Sequence, residues 1–359
     1  MLFIPHKHLY ISGTSYVSAD EPDYKEVITD ANLRRRMGRL LKMAVWCGLK
    51  SLDGVPSERV AGIITSTGAG FMKDTISFGS SIFDREETLL NPSPFMQSTF
   101  NTASGYIALI RKIHAYNTTY VQQADGFAAS LVDAAMLLDD AGEGNVALVG
   151  AFDEVTPEVD VIRKRLGLYR VGDGFLPLGE GAAAFLLSAA MPTDVSESCP
   201  ATESSTGLGG DDGSESDSGR DGDANSECST GPLHESESAS CPCDESGSES
   251  SSEPLDESGG TSSRSLNGTK DGNAALRFCG LANLSDLPKC AANPIAELFG
   301  INAGVNVISC ADHVESLGAF RSLLPVLLCK LISEKQIPDG YTAIVDDVNE
   351  DGVIVLLHK

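Results

Sequence analysis

The stretch TYVQQADGFAASLVDAAMLL, residues 119–138, joins a short β-branched and aromatic run to a helix rich in alanine, leucine and valine, with a polar break at Gln122–Asp125 between them. So apolar a helix belongs inside the molecule, because a surface helix carries a polar face. The pattern recurs on either side. LYISG, VAGIIT, NVALVG and AAAFLLS are short runs of the kind found in a sheet covered on both faces. Between them, LRRRMGRLLKMAVWCGLKSL (33–52) keeps Leu33, Met37, Leu40, Leu41, Ala44, Val45 and Leu49 near one face. That spacing predicts one helix packed on the sheet, with Arg34, Arg35 and Arg36 as its solvated end. NTASGYIALIRKIHAY (101–116) reads as a second helix, its Ala103, Gly105 and Ala108 permitting close contact. ALRFCGLANL, VNVISCA, TAIVDDV and VIVLLHK resume the strand pattern later, and GAFRSLLPVLLCKLISEK predicts a long helix that Pro325 either kinks or starts. Strands alternating with helices imply a layered α/β fold.

Composition divides the chain of 359 residues into parts 1–190, 191–273 and 274–359. About 16 of its 25 net negative charges fall in 191–273, a stretch of Ser, Gly, Asp and Glu. With so little apolar area to offset a chain entropy of about 1–2 kcal/mol per residue, this acidic insert is expected to be disordered. The remainder is mildly acidic and has no lysine or arginine stripe, which excludes nucleic acid as the expected partner; an acidic carrier protein would need a local basic patch. The nine cysteines form neither a disulfide framework nor a paired C-x-x-C zinc pattern, so reduced thiols in a cytoplasmic setting and no bound metal are expected. MLFIPHKHLYISG is interrupted at Pro5, His6, Lys7 and His8 before a signal-peptide core forms, and no window approaches the roughly 18–20 apolar residues of a membrane span.

Five segments occur in an order that carries a family resemblance: TSTGAG (65–70), NPSPFMQSTFNTASGYIAL (91–109), the TYVQQADGF turn, NVALVGAFDEVTP (145–157) and LPLGEGAAAFLL (176–187). Together they resemble the β-ketoacyl-acyl carrier protein synthases of the thiolase-like fold, and within them the compact bacterial group associated with aryl polyene and flexirubin-type pigments. The resemblance implies a thiolase-like α-β-α-β-α layering and a dimer. It also implies that Phe95, Gln97, Asn101 and Phe127 line the dimer interface beside an acyl pocket. SCADHVESLGAF (309–320) resembles the family's second histidine segment and sets His313 on its histidine. The lysine five residues earlier is Ile308, the other family histidine has no counterpart near ANLSDLPK, and the closing G-F-G-G loop is replaced by DDVNEDG (346–352).

A ketosynthase holds its acyl group on a cysteine whose thiolate is favoured by the amino end of a buried helix. Here the strand-side alignment places that position at Asp125 and the helix-side alignment at Phe127. Neither is a thiol. Asp125 also suits a plain helix start, and an acyl anhydride on it would be too labile for chain extension. His313 is then either a retained histidine or an ordinary surface imidazole beside Asp312 and Glu315. Cys310, three residues earlier, reads as a buried inert thiol. The resemblance therefore implies a non-condensing subunit, like the chain length factors that lack the cysteine. Such a subunit would pair with itself or with an active ketosynthase and would meet an acyl carrier protein. The alternative is an active 3-oxoacyl synthase with an atypical residue set. No cofactor is expected, since a carrier's phosphopantetheine arm would be substrate.

Overall fold

A computed structural model of the chain describes residues 2–122, 125–190, 275–349 and 352–359. The stretch 191–273 and its expected disorder lie outside those residues, as do Gln123 and Ala124 of the quoted turn. In chain order the strands are β1 (Leu2–Phe3), β2 (Leu9–Val17), β3 (Val60–Thr67), β4 (Tyr116–Val121), β5 (Val146–Asp153), β6 (Arg170–Val171), β7 (Gly174–Phe175), β8 (Gly181–Ser188), β9 (Arg277–Asn283), β10 (Val305–Ser309), β11 (Tyr341–Val345) and β12 (Val353–His358). The helices are α1 (Ala31–Arg36), α2 (Arg39–Ser51), α3 (Met72–Asp84), α4 (Pro92–Ser98), α5 (Thr102–Arg111), α6 (Asp125–Ala141), α7 (Pro157–Leu166), α8 (Pro294–Leu298), α9 (Val314–Leu317) and α10 (Leu323–Ser333).

Two strand sets with one plan make up the main sheet, in the order β10-β11-β12-β9-β2-β8-β5-β3-β4. In the first, β3 lies parallel to β5, β5 antiparallel to β8, and β8 antiparallel to β2. The second repeats those directions with β10, β11, β12 and β9. Among the described residues the pairs Leu9↔Phe278 and Tyr10↔Arg277 join β2 to β9, and Ile11 N–H donates to the Leu276 carbonyl (3.0 Å) just before β9. Among the described residues, nothing in the second set corresponds to β4, the outer strand of the first.

Side-chain alternation along the strands builds the layers. On β8, Ala182, Ala184 and Leu186 face a core formed with α2 and α5, while Ala183, Phe185 and Leu187 face α6 and α10. On β12, Val353, Val355 and Leu357 reach that same central core, while Ile354 and Leu356 face α8. The sequence of layers is thus α2/α5, first strand set, α6/α10, second strand set, α8. This is the thiolase-like α-β-α-β-α arrangement. Helices α6 and α10 are apolar over most of their girth because they share the central layer with strands on both sides, and each fully buried Leu, Ile or Phe there contributes about 1.5–3 kcal/mol.

Two helix expectations need correction, and a third is decided between its two alternatives. Residues 33–52 form two helices, since Met37 and Gly38 are extended. The break persists because buried Gln97 accepts from Gly38 N–H (2.8 Å) and donates to the Arg36 carbonyl, replacing bonds an unbroken helix would make. Helix α2 then buries Met43, Trp46 and Cys47 as well as the expected face. The second helix ends at Arg111, where Lys112 turns left-handed (φ 54°) and the chain enters β4. Pro325 starts a helix: α10 begins at Leu323, so the proline occupies the first turn, where its missing N–H costs nothing.

Candidate functional site

Helix α6 begins at Asp125, whose carboxylate lies in the first turn, where the helix dipole favours negative charge. Its start is pressed against β3: a Cβ on Gly126 would lie 3.3 Å from Ser66 Cβ. Phe127 points into the central core and packs on Phe185 with ring centroids 5.4 Å apart. Of the two aligned positions, Asp125 is exposed and Phe127 is 4% exposed. Only the former is in contact with solvent.

His313 follows β10 in a short turn and is half-buried. Its backbone N–H donates to the Cys310 carbonyl (3.0 Å), and Cys310 N–H donates to the Val345 carbonyl (2.9 Å). Val314 and Leu317, just beyond it, enter the core that holds Phe127 and Leu131. The structure therefore brings the starts of α6 and α9 onto one core. Cys310 is fully buried, and burial, with Asp346 and Asp347 nearby, pushes its thiol well above the usual range. A thiol so held is protonated at neutral pH and is a poor nucleophile.

The other expected residues separate. Gln97 is turned into the chain's own backbone at the α1–α2 break. Phe95 is 53% exposed and tilts against Phe78, centroids 5.1 Å apart, and Asn101 is exposed ahead of α5. Arg39, at the start of α2, pairs with Glu21 and Glu180, while Arg35 and Arg36 remain exposed on α1.

Two glycines carry the meeting of the halves. Gly179 of the LPLGEG segment crosses Gly318 of the SLGAF segment backbone to backbone. Gly179 N–H donates to Ala319 O (3.2 Å), and Ala319 N–H donates to Pro177 O (2.7 Å). A Cβ on Gly179 would lie 2.9 Å from Gly318 Cα. No side chain fits.

Beside this crossing lies a polar seam that sequence reasoning missed. Asp153, at the end of β5 and 4% exposed, accepts on Oδ1 from Thr67 Oγ1 (3.1 Å), Gly68 N (2.9 Å) and Ala69 N (3.1 Å). Its Oδ2 accepts from Ser322 Oγ at 2.6 Å, so one carboxylate ties the TSTGAG turn to the start of α10. Asp346, 1% exposed, accepts from Val348 N, Asn349 N and Asn349 Nδ2. Asn349 Oδ1 accepts from Tyr169 Oη (2.9 Å), and the Arg321 guanidinium lies 5.8 Å above the Tyr169 ring. Burial is the main cause that raises both carboxyls above the ordinary carboxylate range, against the hydrogen bonds that lower them. The one signal in the sequence was an acid, Asp153, closing the apolar run VALVGAF.

With this geometry in place, residues 14–166 are a match to the family model described as beta-ketoacyl synthase, N-terminal domain. Over those residues the chain is similar to a ketosynthase N-terminal domain. No curated protein sequence matches the chain significantly. Among solved structures, the ishigamide ketosynthase/chain length factor superposes with a TM-score of 0.58 at 14% identity, over 98% of this chain and 99% of that one. A chain of AntDE:AntF, a type II PKS acyl-carrier protein in complex with its ketosynthase bound to the hexaketide, gives 0.56 at 13%, over 98% and 99%. The ketosynthase ApeO in complex with its chain length factor ApeC from Xenorhabdus doucetiae gives 0.35 at 17%, over 52% and 78%, too distant to bear on function. The first two establish the ketosynthase fold. Among the described residues no cluster of His, Cys, Asp and Glu could hold a metal, and no helix is long and apolar enough to cross a membrane.

Proposed function

We propose that this chain is a chain length factor-like subunit: a ketosynthase-derived protein that does not itself condense acyl units and acts beside an active ketosynthase in polyketide, aryl polyene or fatty acyl assembly. One observation carries the reading. The helix end that would activate a thiol opens with Asp125, Gly126 and Phe127, whereas Cys47, Cys310 and Cys329 are buried in the cores with their thiols pushed up. A helix amino end lowers the pKa of a thiol and makes it a nucleophile; it gives a carboxylate no comparable reactivity.

The open flank of β4 supports the partner. Its outer edge is unpaired among the described residues, with Tyr116 45% and Val121 42% exposed, and Leu109 on α5 is 68% exposed. An apolar border along a free strand edge suits strand-to-strand association with a protein of the same architecture. Arg35 and Arg36, exposed on α1, are the candidates for the basic contact an acidic carrier protein requires.

Incubation with radiolabelled malonyl and acyl carrier proteins tests the reading. The chain alone is expected to form no covalent adduct and release no carbon dioxide, and to co-purify with a ketosynthase until Val121→Lys disrupts the β4 edge. Stoichiometric acylation, or decarboxylation abolished by Asp125→Ala or His313→Ala, would establish an active synthase instead.

A further inference from the structure

We propose that the seam joining the two halves is a proton-linked clasp, held more tightly in mild acid than in mild alkali, with Asp153 and Asp346 as its titrating groups. The geometry is specific. Asp153 belongs to the first strand set, yet it holds the first residue before α10; Asp346 follows β11 of the second set and, through Asn349, holds Tyr169 of the first half. Asn349 Nδ2 also donates to Phe320 O (3.4 Å), so Phe320–Ser322 is tied to Asp153 directly and to Asp346 through Asn349.

The charged and titratable groups around them are few. Arg321 stacks on Tyr169 and reaches Asn349 Oδ1 at 3.5 Å, and it forms no ion pair with either carboxylate among the described residues. Asp347 and Cys310 adjoin Asp346, and Arg163 acts on Tyr169 from α7. Among the described residues neither carboxylate therefore has a cation in contact, and the hydrogen bonds named above are what compensates two buried negative charges. Protonating Asp153 leaves its geometry intact, because Ser322 Oγ can accept the new proton at the same 2.6 Å.

Both folded carboxyls bind protons more tightly than in the unfolded chain. By linkage, their contribution is complete below the ordinary carboxylate pKa of about 4 and is lost as pH rises through the raised folded values. His358 acts oppositely, since burial lowers its imidazole and protonation in acid destabilises the fold. Loosening the clasp would free the TSTGAG turn, whose Ser66 packs on Gly126 at the start of α6. The clasp thus connects pH to the candidate site.

Urea unfolding of the full chain from about pH 5 to about pH 8, repeated in about 0.5 M salt to screen surface repulsion, provides the test. The midpoint is expected to fall with rising pH at both salt concentrations. Asp153→Asn should flatten the slope and equal or exceed the native midpoint at the alkaline end, its new amide donating to Ser322 Oγ. Asp346→Asn should flatten the slope but lower the midpoint, because only donors (Val348 N, Asn349 N and Asn349 Nδ2) face its new amide. Should either variant fail to fold, amide exchange in the unmodified chain substitutes. Exchange at residues 67–70 and 320–323, corrected for intrinsic rates, should accelerate with pH. A midpoint that is flat or rises with pH, or a slope unchanged in both variants, or exchange insensitive to pH, overturns the proposal.

Discussion

Replacing Gly318 by alanine should damage the fold out of proportion to one methyl group. Gly318 sits at φ 78° and ψ 168°, a region essentially reserved for glycine, and leaving that well costs about 1–3 kcal/mol. The methyl would also press on backbone: the Leu178 carbonyl carbon would be 2.5 Å away, with Gly179 closer still. Backbone held by the Gly179–Ala319 and Ala319–Pro177 bonds has no flexible end to give, so overpacking adds about 1–3 kcal/mol. The sum, about 2–6 kcal/mol, is a large part of the roughly 5–15 kcal/mol that holds a domain together. At about 2–4 °C per kcal/mol for a domain of this class, Tm should fall by on the order of 10 °C. Gly300 separates the two causes. It has φ +66° with open space around it, so Gly300→Ala should cost about 1–2 kcal/mol from conformation alone. Calorimetry of both variants decides: if Gly318→Ala melts no lower than Gly300→Ala, the backbone crossing is not a close contact and the argument fails.

Gln97→Ala should leave the Gly38 N–H and the Arg36 carbonyl without their shared partner, at about 1–3 kcal/mol, and accelerate amide exchange at Gly38. Unchanged exchange there would remove the latch. Maleimide labelling resolved by peptide mass spectrometry should modify exposed Cys290 in the native protein and spare Cys47, Cys310 and Cys329 until urea is added. Labelling of Cys310 as fast as Cys290 would reopen the thiol beside His313 as a nucleophile.

Much of the fold was legible because its signals are local. Strands β2, β3, β5 and β8 fall where apolar β-rich runs stand, and α6 is buried as its apolar composition requires. The helix across residues 33–52 misled because its periodicity continues through Gly38, while the side chain that breaks it arrives from α4, 59 positions away. Pro325 was ambiguous for a related reason: whether it kinks or starts a helix depends on where the chain emerges from the Gly318 crossing.

The candidate site divides along the same line. Asp125 and Phe127 could both be named from sequence, yet only the placement of α6 between two strand sets decides that one is exposed and the other is core. The order of motifs, the apolar runs and the side chains at the head of α6 were fixed by the chain itself, since each depends on residues adjacent in the sequence. Which glycines must touch, which acids are buried together and which edge is left open depend on residues far apart in the chain. Packing of the two halves brings them within hydrogen-bonding range, and no local pattern encodes that distance.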